Sequence, residues 1–106
     1  MKDIKTVAEL NTILNSESND LVVVKFSASW CNPCKMLTDT ITGIEPNING
    51  VKFYEVDVDE AEETLIDEYQ IQSVPVMIFF NEGLQVDRVV GARGKADLLA
   101  LIEKNK

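Results

Sequence analysis

The stretch Leu21-Val22-Val23-Val24-Lys25-Phe26 is a near-continuous apolar run, broken only by Lys25. A half-exposed strand or a surface helix would alternate polar with apolar positions. A run without alternation belongs to a strand covered on both faces. The chain must therefore supply cover for two sides of one sheet, and its 106 residues are enough for one such core. Hydrophobic residues make up 45% and charged residues 26%, so that core can form without a covalent staple.

The rest of the sequence arranges itself around this strand. Thr6-Val7-Ala8-Glu9 has the form of a capping box opening a short helix, with Val7, Leu10, Ile13 and Leu14 on one face. Residues 16–20 read as a loop. After the apolar run, Pro33 suits a first helical turn. Met36, Leu37, Ile41 and Ile44 give that helix an apolar face, and Gly43 or Pro46 marks its end. Residues 51–58 alternate as a strand, and 60–69 form a helix with Ala61, Leu65 and Ile66 inward. Residues 74–80 are a strand opened by Pro75, where a missing N–H is tolerated. Asn81-Glu82-Gly83 turns the chain into a strand over 85–90. A closing helix over 95–104 carries Leu98, Leu99, Leu101 and Ile102. Ile4-Lys5 adds a short edge strand at the start. The expected class is α/β: a single domain over 1–106, with a central mixed sheet of four to five strands flanked by about four helices. Parallel strands with right-handed crossovers make up most of the sheet, and the last hairpin adds an antiparallel edge.

Cys31 and Cys34 are the only cysteines, and they follow the buried strand at once. A bridge over two intervening residues closes a tiny loop and removes little unfolded-chain entropy, so it would be a poor structural staple. The N-terminal stretch has no apolar h-region and no small-residue cleavage site. No apolar run approaches membrane-spanning length. A reducing cytoplasm is the expected compartment, and there a paired cysteine motif is catalytic or metal-binding more often than structural. Structural zinc asks for four ligands of Cys or His type, and only carboxylates remain. Disulfide exchange needs one thiol ionised at neutral pH and a second close enough to resolve a mixed disulfide. If Pro33 opens a helix, Cys31 sits at its positive end, which draws the thiol from about 8.5 toward neutrality. Cys34 then lies shielded in the first turn, and Lys35 adds positive charge nearby.

Charge and composition exclude other chemistry. The net charge is −8, which disfavours a phosphate backbone as partner. With no histidine, Ser-His-Asp and Cys-His nucleophile systems and imidazole metal sites are all absent. No nucleotide fingerprint is present.

Four segments carry a resemblance: Phe26-Ser27-Ala28-Ser29-Trp30-Cys31-Asn32-Pro33-Cys34-Lys35-Met36, then Glu55-Val56-Asp57-Val58-Asp59, then Val74-Pro75, then Val90-Gly91-Ala92. In order and spacing the chain resembles the thioredoxin family over nearly its whole length. The resemblance implies that Cys31 attacks and Cys34 resolves. It implies that Trp30 borders the active surface, and that Pro75 is cis and faces the disulfide. The Val74 backbone would pair with a substrate segment, and Gly91 and Ala92 would complete an apolar patch around Cys31. It further implies protein disulfides as substrates and a monomer with no bound cofactor. Its electrons would come from NADPH through a thioredoxin reductase.

The sequence departs from the family pattern at three places. Asn32 replaces the usual glycine and brings hydrogen-bonding groups near the thiolate. Asp39 replaces a helix-kinking proline and reads as a surface charge on a straighter helix. Lys25 stands where the family has a buried aspartate that handles the proton of the resolving cysteine, and Glu55 stands where some members have a lysine. The expected arrangement is a Lys25–Glu55 pair below Cys34, with the two charges exchanged. A charged Lys25 would favour thiolates; a Lys25 neutralised by burial could accept a proton from Cys34. The competing reading has Lys25 snorkelling with Glu55 in solvent. Three functions follow: a protein disulfide reductase, a scaffold that docks a partner without turnover, or an oxidase or isomerase running the same chemistry in reverse. Both cysteines are retained, which argues against the scaffold. The missing signal segment and the lack of histidine between the cysteines argue against the third. The acidic residues Asp57, Asp59, Glu60, Glu62 and Glu63 read as a solvated face.

Overall fold

A computed structural model of the chain describes residues 1–16 and 19–106. Part of the loop expected over 16–20, Glu17 and Ser18, lies outside the described residues. The elements run β1 (Lys2–Asp3), α1 (Val7–Leu14), β2 (Leu21–Ser27), α2 (Asn32–Ile44), a 3-10 turn (Glu45–Asn47), β3 (Val51–Asp57), α3 (Glu63–Glu68), β4 (Val76–Asn81), β5 (Leu84–Val90) and α4 (Lys95–Asn105).

The apolar run becomes β2, with every residue from Leu21 to Ser27 buried. It sits in the middle of a sheet ordered β1-β3-β2-β4-β5. Alternate β2 side chains serve two cores. Leu21 and Val23 pack with Leu37, Ile41 and Ile44 of α2 and Leu98 and Ile102 of α4. Val22, Val24 and Phe26 pack with Leu10 of α1 and Leu65 of α3. Lys25 belongs to the α2 side by the same alternation.

Three expectations need correction. The sheet is mixed to a greater degree than one antiparallel edge. β1 and β2 are parallel to β3, but β4 is antiparallel to β2 as well as to β5. The cause is where the chain re-enters. β3 ends at Asp57, opposite Ser27, and β4 begins at Val76, opposite Phe26, so the connection starts and finishes at one end of the sheet. A six-residue α3 rises about 9 Å, too short to carry the chain back to the other end. The edge strand comes earlier than expected, at Lys2–Asp3; Ile4 donates to the Glu55 carbonyl at 2.8 Å and turns its side chain into the core. The third concerns helix faces and ends. Met36 is 65% exposed and Leu99 is also exposed, while Cys34 takes an inward position of α2. Gly43 lies inside α2, and Pro46 sits in the 3-10 turn that follows.

The register brings four junctions to one end of the sheet. They are the exit of β2, the exit of β3, the entry to β4 and the exit of β5, where Val90 pairs with Val76.

Candidate active site

Cys31 is the N-cap of α2, in extended conformation (φ −95°, ψ 111°), and Pro33 lies in the first turn. Proline suits that turn because its absent N–H would have had no helical partner. The Cys31 Sγ takes the role of a capping oxygen and accepts from the Cys34 N–H at 3.2 Å. A sulfur so placed meets the positive end of the helix, which favours its anionic form when the pair is reduced. Cys31 and Cys34 are joined as a disulfide, with Cα atoms 5.3 Å apart. Both are buried and pack with Ala28, Val58 and Val74.

The Val74–Pro75 bond is cis, as the resemblance implied, and Cys31 Sγ lies 3.8 Å from the Val74 carbonyl oxygen. Pro75 precedes β4 rather than opening it. The Pro75 carbonyl accepts from the Gly91 N–H at 2.9 Å, which ties the exit of β5 to this loop. Gly91 has φ +93°, a conformation that suits glycine. Ala92 packs on the α2–α4 core, and its carbonyl accepts from Arg93 at 2.9 Å. Trp30 is 69% exposed, with its Nε1–H donating to Asp59 Oδ2 at 2.9 Å. Asp59 is itself held by its N–H donating to Asp57 Oδ1 at 2.9 Å. Trp30, Val58, Ile66, Ile71 and Val74 line an open groove of about 240 Å³ beside the disulfide. Asn32 is exposed on the first turn of α2, and Asp39 is exposed too.

Lys25 and Glu55 face each other directly in the β2–β3 register. Lys25 is 0% exposed, and its Nζ donates to Glu55 Oε1 at 2.9 Å. The snorkelling alternative is thereby overturned, since the amine is itself inaccessible and ends on protein acceptors, with Glu55 only 26% exposed. Two more acceptors complete that cluster, Thr38 Oγ1 at 2.6 Å and Ser27 Oγ at 3.1 Å. The Ser27 hydroxyl donates a hydrogen bond to Glu55 Oε1 at 2.9 Å, and the Thr38 hydroxyl donates one to the Cys34 carbonyl at 3.0 Å. Burial pushes the Glu55 carboxyl up, but hydrogen bonds from Lys25 and Ser27, with the Lys25 charge, together hold it below its ordinary value. Lys25, Thr38, Glu55 and the resolving Cys34 line one cavity of about 280 Å³. Ser27 and Thr38 were missed in the sequence, although both carried a signal. Ser27 is two residues from Lys25 on a strand, and Thr38 is four residues from Cys34 on a helix, so each shares a face with its neighbour.

No group of His, Cys, Asp and Glu among the described residues could hold a metal ion. No helix among them is long and apolar enough to cross a membrane.

A capped and bridged cysteine pair, set between a buried strand and a helix and opposed by a cis-proline loop, defines a thiol–disulfide oxidoreductase. Comparison with known proteins agrees. The thioredoxin family model matches residues 3–104. The thioredoxin of Mycoplasmoides gallisepticum is 39% identical over 103 residues, covering 97% of this chain and 100% of its own. That of Chlamydia trachomatis is 33% identical over 100 residues, covering 94% and 97%. The X-ray structure of Fasciola hepatica thioredoxin superposes with a TM-score of 0.90 at 32% identity, covering all of both chains. This chain belongs to the thioredoxin family. Its activity is thiol–disulfide exchange of the thioredoxin type, acting on protein disulfides.

Proposed function

We propose that the protein is a reductant of protein disulfides, working as a single domain over 1–106 and as a cytoplasmic monomer. Cys31 attacks a substrate disulfide as a thiolate. One substrate sulfur leaves with the bonding electron pair, and the other stays bound to Cys31. Cys34 then attacks Cys31 Sγ, forms the Cys31–Cys34 bridge and releases the second substrate sulfur. The substrate is oxidised before this cycle and reduced after it; the protein pair moves from dithiol to disulfide. The observation that carries this reading is the Cys31 sulfur at the cap of α2, accepting from Cys34 N–H at 3.2 Å beside the Val74 carbonyl. A substrate segment lies along the cis-Pro loop at Val74 and Pro75, bordered by Trp30, Gly91 and Ala92. Asn32, Pro33, Lys25 and Glu55 tune the couple. No group need be bound, and NADPH supplies electrons through a thioredoxin reductase.

The test is the reduction potential of the Cys31/Cys34 couple, read by alkylation and mass in a dithiol buffer. A two-electron couple near about −270 mV supports the reducing direction. A value near about −180 mV reverses the direction to oxidation or isomerisation. Absence of any reversible couple leaves only a docking scaffold. Cys34→Ser adds a second check: mixed disulfides through Cys31 should accumulate with protein substrates, and their absence counts against the assigned roles.

A further inference from the structure

An ammonium has three N–H donors and no acceptor. Lys25 has three oxygens at hydrogen-bond distance, one from each of Glu55, Thr38 and Ser27. The hydroxyl protons are committed elsewhere: Ser27 to Glu55 and Thr38 to the Cys34 carbonyl. Both hydroxyls therefore present lone pairs to Lys25, and every proton in the cluster points away from the amine. This polarity suits a lysine that keeps its three protons, and it leaves no lone pair on Nζ to receive one from Cys34. Thr38 is the one member that touches both the amine and the helical turn holding the resolving cysteine.

We propose that Thr38 is a positioning residue whose hydroxyl holds the Lys25 ammonium in the cavity that Cys34 lines, and that this fixed cation, not a proton-accepting side chain, promotes loss of the Cys34 proton to water during resolution. The step balances without a further reactant. Cys34 S–H gives its proton to water in the open cavity. The resulting thiolate attacks Cys31 Sγ, the Cys31–Cys34 bond forms, and the substrate thiolate departs with the electron pair of the broken bond. This rests on the disulfide-exchange reading above.

The other charges around the cavity come from every neighbouring element. β1 contributes Asp3, β3 contributes Glu55 and Asp57, the turn after β3 contributes Glu60, and α2 contributes Lys35. The Met1 ammonium also acts on Glu55. Asp3, Glu60 and Lys35 are exposed and Asp57 is half-buried, so water screens them. Lys25 is wholly buried, and its charge is screened least.

The experiment follows the second thiolate released when the reduced protein meets a chromogenic aryl disulfide, as a function of pH in stopped flow. That release reports resolution by Cys34. Removing the Thr38 hydroxyl in Thr38→Val should raise the midpoint of the pH profile by about half a unit, the scale of one hydrogen bond, and Thr38→Ser should restore it. Lys25→Met should raise it by about one unit or more, the scale of one nearby charge. Glu55→Gln, which leaves the cation without its counter-charge, should lower it. The proposal is overturned if Thr38→Val leaves the midpoint unchanged, or if Glu55→Gln slows resolution at every pH, the mark of a general base. If Lys25→Met does not fold, the threonine pair decides alone. A wild-type protein that releases no second thiolate defeats the exchange reading itself, a different failure from an unmoved midpoint.

Discussion

Lys25 shows how a residue that looks misplaced in a core strand is accommodated. A buried amine is costly unless every proton finds an acceptor, and here Glu55, Thr38 and Ser27 supply them. The carboxylate partner makes the arrangement sensitive to acid. Glu55 is held below its ordinary 4.5 in the folded protein, so it stabilises the fold at pH values above the unfolded value. That contribution disappears as the pH falls through the lowered folded value. Urea unfolding at pH 7 and near pH 3 should therefore show a loss of stability that is smaller in Glu55→Gln. Asp87 is lowered as well, chiefly by the Asn105 side chain, so Asp87→Asn should flatten the same acid limb independently. If both variants parallel the wild type between those pH values, these groups do not drive the acid response. At this scale the Lys25–Glu55 pair was legible only through the family resemblance, which supplied the two neighbouring positions; alternation alone does not say which β3 residue lies beside Lys25. The two hydroxyls had only a spacing signal: i+2 puts Ser27 on the Lys25 face and i+4 puts Thr38 on the Cys34 face, but that Thr38 reaches Lys25 depends on how α2 is rotated against β2.

Among the elements, α1 and α3 illustrate how a propensity reading succeeds and fails. Thr6 caps α1 as the sequence suggested, accepting from the Glu9 N–H at 3.0 Å. Glu9 reaches back to the Lys5 N–H at 3.3 Å and to the Thr6 hydroxyl at 3.2 Å. Thr6→Ala should cost about 1 kcal/mol in chemical denaturation, with the redox couple untouched. An equal loss in Thr6→Ser would show that the cap oxygen is not what matters. For α3, residues 60–62 were expected to be helical, and helix begins only at Glu63. A turn takes the first two, with the Glu60 and Ala61 N–H groups both donating to the Asp57 carbonyl at 3.1 and 2.9 Å, and tertiary contacts take the third. The Glu62 N–H donates to the Lys5 carbonyl at 2.8 Å, and Glu62 Oε2 accepts from the Val7 N–H at 3.0 Å. A carboxylate at the start of α1 also meets the favourable end of that helix. Such a long-range partner is invisible to periodicity, which explains why existence was legible and the boundary was not.

Across the whole molecule, the two large apolar cores lie apart from the small cluster that holds the cysteines. The α2–α4 core holds Leu98 and Ile102 against the sheet, both buried. Leu98→Ala should cost about 2–5 kcal/mol in urea while the reduction potential stays within error. A shift in potential would mean that α4 packing reaches the cysteines. The central strand was readable from the apolar run broken only by Lys25, and the α/β class from the alternation of helical and strand segments. The direction of β4 was not, because alternation is the same whichever way a strand points; it follows from where the connection ends.

The far end of the sheet has a practical consequence. Lys106 lies near Gly50, whose Cβ position would be 3.9 Å from Lys106 Cε, at the entry to β2 and β3. The disulfide sits at the opposite end, past Ser27. A protein tethered to a solid support through an added tail after Lys106 would present its sulfurs outward, toward whatever flows past.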